Sequence, residues 1–272
     1  MDISVIISTY NSPEWLAKVI VGYECQKDND FEIVIADDGS NRETRKLISE
    51  MRHLTGLDIK HVWQEDRGFR KCRILNKAIL ASDGDYLIMT DGDCIPRTDF
   101  VAVHRENAEQ GCFLSGGYFK LPMSISQRIS MLDIASGRPF DSEWLESQGY
   151  ESNFKAIKLK VNHWQARICN RLTPTRRTWN GHNASGWKAD ALRVNGFDER
   201  MQYGGEDCEF GERLKNIGIK AKQIRYSAIC VHLDHERGYV TEDMRRKNRA
   251  IRQHTKRQHI METPFGIRQQ SY

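Results

Sequence analysis

The chain of 272 residues carries 41 Lys and Arg against 37 Asp and Glu, a formal net charge of +4, which is too small a surplus to suggest a nucleic-acid partner. A chain of this length buries about 75% of its unfolded surface and needs no covalent staple. Its seven cysteines (Cys25, Cys72, Cys94, Cys112, Cys169, Cys208 and Cys230) are scattered and free of Cys-x-x-Cys spacing, which argues against a disulfide framework or a zinc site and for a reducing cytoplasm. The N-terminus has no cationic stretch leading into a long apolar one, and no segment approaches the roughly 18 apolar residues of a membrane span. A soluble or peripheral protein is expected.

Strands and helices alternate along the first third of the chain. Ile3 to Ser8 is an apolar, β-rich run; after the turn residues Asn11-Ser12-Pro13, Glu14 to Gln26 places Trp15, Val19, Ile20 and Tyr23 at helical spacing. Phe31 to Ala36 reads as a second buried strand ending at Asp37-Asp38-Gly39-Ser40, followed by a helix over 41–51 with Asn41 as N-cap and Leu47 and Ile48 facing the core. Ile59 to Trp63 is a third strand, Arg73 to Ala81 a helix and Asp85 to Thr90 a fourth strand. This β-α-β-α-β order predicts an α/β fold with a mostly parallel central sheet flanked by helices. Ligands collect at the carboxyl ends of such strands, where Asn11, Asp38 and Asp91 should converge on one crevice.

The segment Tyr86 to Cys94 bears most directly on chemistry, because a buried strand empties into Asp91-Gly92-Asp93. A strand end holds both carboxylates rigidly, Gly92 lets a ligand approach the backbone, and hard oxygen donors suit Mg²⁺ or Mn²⁺, which keep positions open for substrate phosphates. Asp-Gly-Asp also makes ordinary solvated turns. The chain has neither Gly-x-Gly-x-x-Gly after the first strand nor Gly-x-x-x-x-Gly-Lys-Ser/Thr, so phosphate must be held another way. A divalent cation at Asp91 and Asp93 would do it, while a carboxylate such as Asp38 accepts hydrogen bonds from a base N–H or from ribose hydroxyls. These are the requirements of a nucleotide-sugar site.

Ser4-Val5-Ile6-Ile7-Ser8-Thr9-Tyr10-Asn11, Ala36-Asp37-Asp38-Gly39-Ser40 and Asp91-Gly92-Asp93, in this order on strand ends, resemble the family-2 glycosyltransferases with the GT-A fold. The runs from Val62 to Lys71 and from Asn76 to Ile79, then Asn195-Gly196-Phe197-Asp198-Glu199 and Gly204-Gly205-Glu206-Asp207, resemble the branch containing bacterial chondroitin polymerases. The second half is also similar to the carboxyl-terminal part of animal β-1,4-galactosyltransferases. The resemblance covers roughly residues 2–240. It implies that Thr9 and Tyr10 line the nucleotide pocket, Asp38 binds the uracil edge, Asp91 meets the ribose or a metal-bound water, and Asp93 ligates the metal. It makes Asp207 the catalytic base and Glu206 an acceptor-binding residue. A carboxylate is needed there because a sugar hydroxyl must lose its proton as it attacks; Glu206 and Asp207 at a helix start are equally good capping groups. The outer positions of His232-Leu233-Asp234-His235, after an apolar strand over Ser227 to Val231, are the remaining candidate metal ligands, and imidazole suits Mn²⁺ better than Mg²⁺. Met201-Gln202-Tyr203 departs from the aromatic-Gly-Trp usual before Gly-Gly-Glu-Asp, so the resemblance does not name the acceptor.

The expected organisation is a transferase domain over 1–240 with a helical insertion at about 122–178, then a basic helical tail over 241–272. Helices are expected in the insertion over Ile125 to Ala135 and Phe154 to Arg171, where Trp144, Trp164, Arg167, Arg171, Arg176 and Arg177 suit an acceptor groove, a membrane-facing surface, or simply packing and solvated faces. In the tail, Arg245 to Arg257 is rich in cations and is followed by Ile260, Met261, Phe265 and Ile267. Such a segment suits either a solvated terminal helix or peripheral attachment to an anionic inner-membrane surface. The leading expectation is an inverting glycosyltransferase in surface polysaccharide or lipopolysaccharide synthesis. It would move a hexose or N-acetylhexosamine from a UDP-sugar to a saccharide or lipid-linked saccharide, with Mn²⁺ (or Mg²⁺). The alternatives are a nucleotidyltransferase, which would want a glycine- and base-rich loop after the first strand, and a non-catalytic carbohydrate-binding relative, which would lack the carboxylates.

Overall fold

The buried apolar runs of the first third of the chain pair as a parallel sheet. A computed structural model describes residues 1–151, 154–236 and 240–270. The leading elements are β1 (Ile3–Thr9), α1 (Pro13–Glu24), β2 (Phe31–Asp37), α2 (Arg42–Thr55), β3 (Ile59–Trp63), α3 (Lys71–Ala81) and β4 (Tyr86–Asp91). Alternation along the strands splits the core into two layers. Val5, Ile7, Ile33 and Ile35 pack with Leu16, Ile20 and Ile48 beneath α1 and α2; Ile6, Val34 and Ala36 pack with Leu75, Ala78 and Ile79 of α3. The Asn41 side chain caps α2 by accepting from the N–H groups of Glu43 and Thr44, and Gly56 closes that helix in the left-handed region at φ 66°.

The chain continues through β5 (Cys94–Pro96), α4 (Phe100–Asn107), β6 (Cys112–Ser115), β7 (Gly117–Lys120), α5 (Met123–Arg128), α6 (Met131–Ala135), α7 (Ser142–Ser147), α8 (Ile157–Lys160), α9 (His163–Leu172), β8 (Ala184–Trp187), α10 (Lys188–Arg193), α11 (Glu206–Asn216), β9 (Lys220–Gln223), β10 (Ile229–His232) and α12 (Glu242–Arg257). Among the described residues the main sheet has seven strands in the order β3-β2-β1-β4-β8-β6-β9. Only β8 runs against its neighbours β4 and β6. A second sheet, β5-β10-β7, pairs β10 antiparallel to β5 and parallel to β7. It carries Asp93, just before β5, to the side of His232.

In the insertion, the two helices expected over Ile125 to Ala135 and Phe154 to Arg171 are each broken. Ser130 ends the first by capping α6, with a reciprocal bond between Ser130 and Asp133, and Asn162 interrupts the second by capping α9 in the same way with Gln165. The tail is helical and lies against α11. Arg252 forks onto Glu212 at 2.9–3.1 Å, Thr255 Oγ1 donates to Glu209 Oε1 at 2.7 Å, and Asn216 Nδ2 donates to the Ile260 carbonyl at 2.8 Å. Ile267 joins the core beside α3, and Thr263 and Gly266 are buried, which leaves Met261 as the exposed apolar side chain of that stretch. Residues 271–272 of the expected tail lie outside the described residues.

Thr255 meets a fully buried ion pair. Arg213 and Glu209 are 0% and 1% exposed, Arg213 Nε lies 2.9 Å from Glu209 Oε1, and Arg213 Nη1 donates to the Val194 carbonyl. Removing one partner strands a buried charge. Arg213→Met should therefore destabilise the protein by about 3–5 kcal/mol, read from the urea midpoint; a loss below about 1 kcal/mol would show that Glu209 simply takes up a proton when left alone.

Candidate active site

The chain leaves β1 toward β2 and β3 on one side and later returns to place β4 on the other, so the strand order switches between β1 and β4. Register sets Ser8 opposite Asp91 and Thr9 opposite Asp37, and a cleft of about 710 Å³ opens at these strand ends. Asn11, Asp38 and Asp91 all line it. Asn11 ties the loop after β1 to the loop after β2: its N–H donates to Ser40 Oγ at 2.9 Å, and its Oδ1 accepts from the Asn41 N–H at 2.8 Å. Thr9 Oγ1 is buried without a partner at the cleft wall, and Tyr10 is half-exposed with its hydroxyl donated to Asp66 at 2.8 Å. Asp38 accepts from Gln64 Nε2 at 2.6 Å and from the Arg70 N–H at 2.8 Å. Burial nonetheless pushes its carboxyl above the usual range.

Asp91 accepts from Ser8 Oγ at 2.7 Å and from Lys71 Nζ at 2.5 Å. Burial alone would raise its pKa, but the Lys71 ammonium and the two hydrogen bonds hold it well below the carboxylate range; Lys71, against its own burial, is held correspondingly high by Asp91 and Glu206. Lys71 was legible only as the last residue of the motif from Val62 to Lys71, and no role attached to it there. Gly92 has a tighter reason than ligand approach, since a Cβ there would lie 3.0 Å from the Ser8 carbonyl and 3.3 Å from Thr9 Oγ1. A side chain at this position would fit only if Ser8 and Thr9 gave way slightly.

Asp93 faces the two histidines. Its Oδ2 lies 3.1 Å from His235 Nε2 and 3.6 Å from His232 Nε2, and the imidazoles stack with centroids 5.7 Å apart. The Leu233 N–H donates to the Asp93 carbonyl at 2.8 Å, so the β5–β10 pairing fixes this grouping. Of the intervening residues, Leu233 is buried in the core and Asp234 turns away to Lys120 at 2.9 Å. His232 Nδ1 is buried with no partner. Among the described residues, Asp93, Cys94 and His232 bring donor atoms close enough together to share one cation, and His235 reaches that group through Asp93; a carboxylate and an imidazole beside a thiol fit a divalent cation of borderline character. Tyr118 walls the site, its ring edge-on to His182 at 4.5 Å and tilted to His232 at 5.2 Å, and burial brings His182 down to about 4.

Glu206 and Asp207 are the first two residues of α11. Gly204 and Gly205 precede them at φ 102° and 90°, angles that strain any residue with a Cβ. Asp207 accepts from the Gly181 N–H at 3.0 Å and the Cys208 N–H at 2.6 Å, which fixes its orientation in the cleft. Glu206 accepts from the Gly204 N–H at 2.8 Å; burial and the neighbouring Asp207 push its carboxyl up to about 7. Phe69 and Tyr203 meet edge-to-face at 6.0 Å on the cleft wall, so an aromatic wall stands before Gly-Gly-Glu-Asp despite the departure at Met201 and Gln202. Every site residue singled out in the sequence, Thr9, Tyr10, Asp38, Asp91, Asp93, Glu206, Asp207, His232 and His235, lines this one cleft. A carboxyl whose folded pKa lies above its unfolded value near 4.5 favours folding below that value and loses this contribution as pH rises through about 7. Glu206→Gln should thus be more stable than the parent at pH 8, by up to about 3 kcal/mol, with the gap closing by pH 5. Equal gaps at both values, measured by urea unfolding, would contradict the raised carboxyl.

Comparison with known proteins gives a consistent picture. The chondroitin synthase of Escherichia coli is 30% identical over 244 residues, 85% of this chain and 34% of that protein. The validoxylamine A glucosyltransferase of Streptomyces hygroscopicus subsp. limoneus is 28% identical over 268 residues, covering 93% and 56%. The chain thus spans between a third and just over half of these relatives' lengths. Among solved structures, S. aureus TarS 1-349 in complex with UDP superposes with a TM-score of 0.62 at 16% identity, covering 99% of this chain and 68% of that one. The mannosyltransferase PcManGT from Pyrobaculum calidifontis, in complex with GDP-Man and Mn²⁺, does so with a TM-score of 0.58 at 18% identity, covering 87% and 58%. These likenesses show the GT-A fold. A family model described as the N-terminal domain of galactosyltransferase matches residues 174–236, and the model of glycosyl transferase family 2 matches residues 4–184: the chain belongs to that family.

Proposed function

We propose that the chain is an inverting, metal-dependent glycosyltransferase that moves a hexose or N-acetylhexosamine from a UDP-sugar to a saccharide hydroxyl, in the building of a surface polysaccharide or lipopolysaccharide. The observation that carries this reading is convergence: the Asp91–Lys71 clamp, the Asp93, His232 and His235 donors, and the Glu206-Asp207 pair all face one cleft at the β1–β4 switch point. The relatives and the UDP complex of TarS support the donor class.

In this reading Thr9, Tyr10 and Asp38 receive the nucleoside, with Asp38 toward the uracil edge, and Asp91 meets the ribose side. Asp93, His232 and His235 would hold Mn²⁺, which when bound neutralises the donor diphosphate as it departs. The acceptor hydroxyl attacks the anomeric carbon; a new C–O bond forms there, the bond to the phosphate oxygen breaks, and UDP leaves with the electron pair on the opposite face. Asp207 takes the hydroxyl proton. Glu206, with its carboxyl raised to about 7, is partly protonated at neutral pH and in that form donates a hydrogen bond to an acceptor oxygen; the choice of Asp207 as base rests on its position in the Gly-Gly-Glu-Asp motif. The Phe69–Tyr203 wall supplies an apolar face for the sugar ring.

Two substitutions separate binding from chemistry. Asp93→Ala should fold normally and lose Mn²⁺-dependent UDP affinity in calorimetry; unchanged metal-dependent affinity would remove the metal assignment. Asp207→Asn should keep donor and metal binding while transfer falls by ~10²–10⁴-fold, and near-normal turnover would pass the role of base to another group.

A further inference from the structure

Helix α9 turns an apolar ridge outward. Trp164, Ile168 and Leu172 recur every fourth residue and so stack along one face, where they are 61%, 46% and 74% exposed. The opposite side of the helix is anchored. Ala166 and Asn170 are buried, and Asn170 donates to Ser227 Oγ at 2.9 Å while accepting from the Tyr226 N–H at 2.8 Å. With the Asn162–Gln165 capping box fixing its first turn, α9 has a defined rotation, and its ridge faces solvent because the inner face is already committed.

Beside the ridge lies cationic surface. Arg167, Arg171, Arg177, Lys220 and Lys222 line a groove of about 1020 Å³ that Trp164 also borders. The carboxylates lining it are Glu106 and Glu109, and Glu109 already faces Lys222 at 3.6 Å, so the groove keeps a positive surplus. None of its residues belongs to the catalytic cleft. Among the described residues no helix is long and apolar enough to cross a membrane.

We propose that α9 docks the protein on an anionic lipid bilayer, Trp164, Ile168 and Leu172 entering between the headgroups while the arginines and lysines of the groove meet lipid phosphates. An aromatic residue in line with aliphatic ones and bordered by arginines is the pattern of an interfacial helix. A saccharide chain would use Trp164 and the cations but leave Ile168 and Leu172 without a partner. A second copy of this chain across a two-fold axis would oppose the same positive charges. The tail offers no comparable ridge, since Ile267 is packed in the core and Met261 stands apart as an exposed apolar side chain. The proposal does not depend on the reaction assigned to the cleft.

Co-sedimentation of the full chain with vesicles of pure phosphatidylcholine and of phosphatidylcholine with 30% phosphatidylglycerol tests it. Binding is expected to the anionic vesicles only. Trp164→Ser/Ile168→Ser/Leu172→Ser, all at exposed positions, should lower it at least tenfold with an unchanged melting temperature, and Arg167→Gln/Arg171→Gln by roughly tenfold with a shallower salt dependence. Arg245→Gln/Arg246→Gln/Lys247→Gln in the tail should bind nearly as the parent does. Three results would each overturn the assignment: no binding to anionic vesicles, equal binding by the ridge variant, or loss on changing the tail alone. So would a concentration-dependent dimer that the ridge substitutions abolish without any vesicle binding.

Discussion

The ion pair between Lys71 and Asp91 is the constraint on which the cleft depends. Asp91 is the last residue of β4 and Lys71 the first of α3, so the 2.5 Å contact closes the start of a helix over the end of a strand. Ser8 Oγ, set opposite Asp91 by register, supplies a second donor to the same carboxylate. A half-buried charge is stabilised by its partner and its hydrogen bonds, and here both come from elements that the parallel sheet itself positions. The loop between β3 and α3 is drawn in by the same arrangement, because the Arg70 N–H and Gln64 reach Asp38 from either side of Phe69 and Gly68. Charge in the cleft and the path of its rim are thus one problem with one solution.

The second sheet performs the corresponding task for the donors beyond Asp91. After Gly92 turns tightly against Ser8 and Thr9, β5 runs antiparallel to β10, and the pairing of Cys94 with His232 leaves Asp93 beside both histidines. Residues about 140 positions apart in the chain meet because two three- and four-residue strands share a register. Cys94 reinforces the turn by donating its thiol to Asp93 Oδ1 at 3.3 Å.

What could be read from the sequence followed from locality. β1 to β4 were legible because continuous apolar runs ended at Asn, Asp and Gly, and the parallel order then forced Asp38 and Asp91 to the same edge. The histidines were legible as a pair after a strand, though not that Asp234 would be taken by Lys120. Lys71 was hidden, since its partner lies 20 residues away and nothing local distinguishes it from Lys77. The reversed strand β8 was likewise hidden, because Ala184 to Trp187 is short and direction is set by pairing alone. The broken insertion helices are a different case: Ser130 with Asp133 and Asn162 with Gln165 are capping signals printed in the sequence, and they mark new helix starts inside the expected segments. A cap satisfies N–H groups that a continuing helix would bond anyway, so the tertiary packing of Ile129 and Ala156 decides between the two.

The carboxyl-terminal segment belongs with α11 on physical grounds. Glu209, in the first turn of the helix that begins with Glu206 and Asp207, is satisfied by Arg213 and by Thr255 of α12 together. Farther on, Gly266 passes so close to Asn195 that no Cβ fits, while Asn195 Oδ1 accepts from the Arg268 N–H at 2.9 Å and its Nδ2 donates to the Thr263 carbonyl at 2.7 Å. Asp198 takes Thr263 Oγ1 at 2.8 Å as well as Arg200. The Asn195-Gly196-Phe197-Asp198-Glu199 motif is thereby clamped between the tail and α3, where Asn76 Nδ2 donates to the Phe197 carbonyl and its Oδ1 accepts from the Phe197 N–H. Between that motif and Gly205, Asn248 of α12 donates to the Gln202 and Gly204 carbonyls, so the carboxyl-terminal segment holds the approach to Asp207 as well as the motif before it.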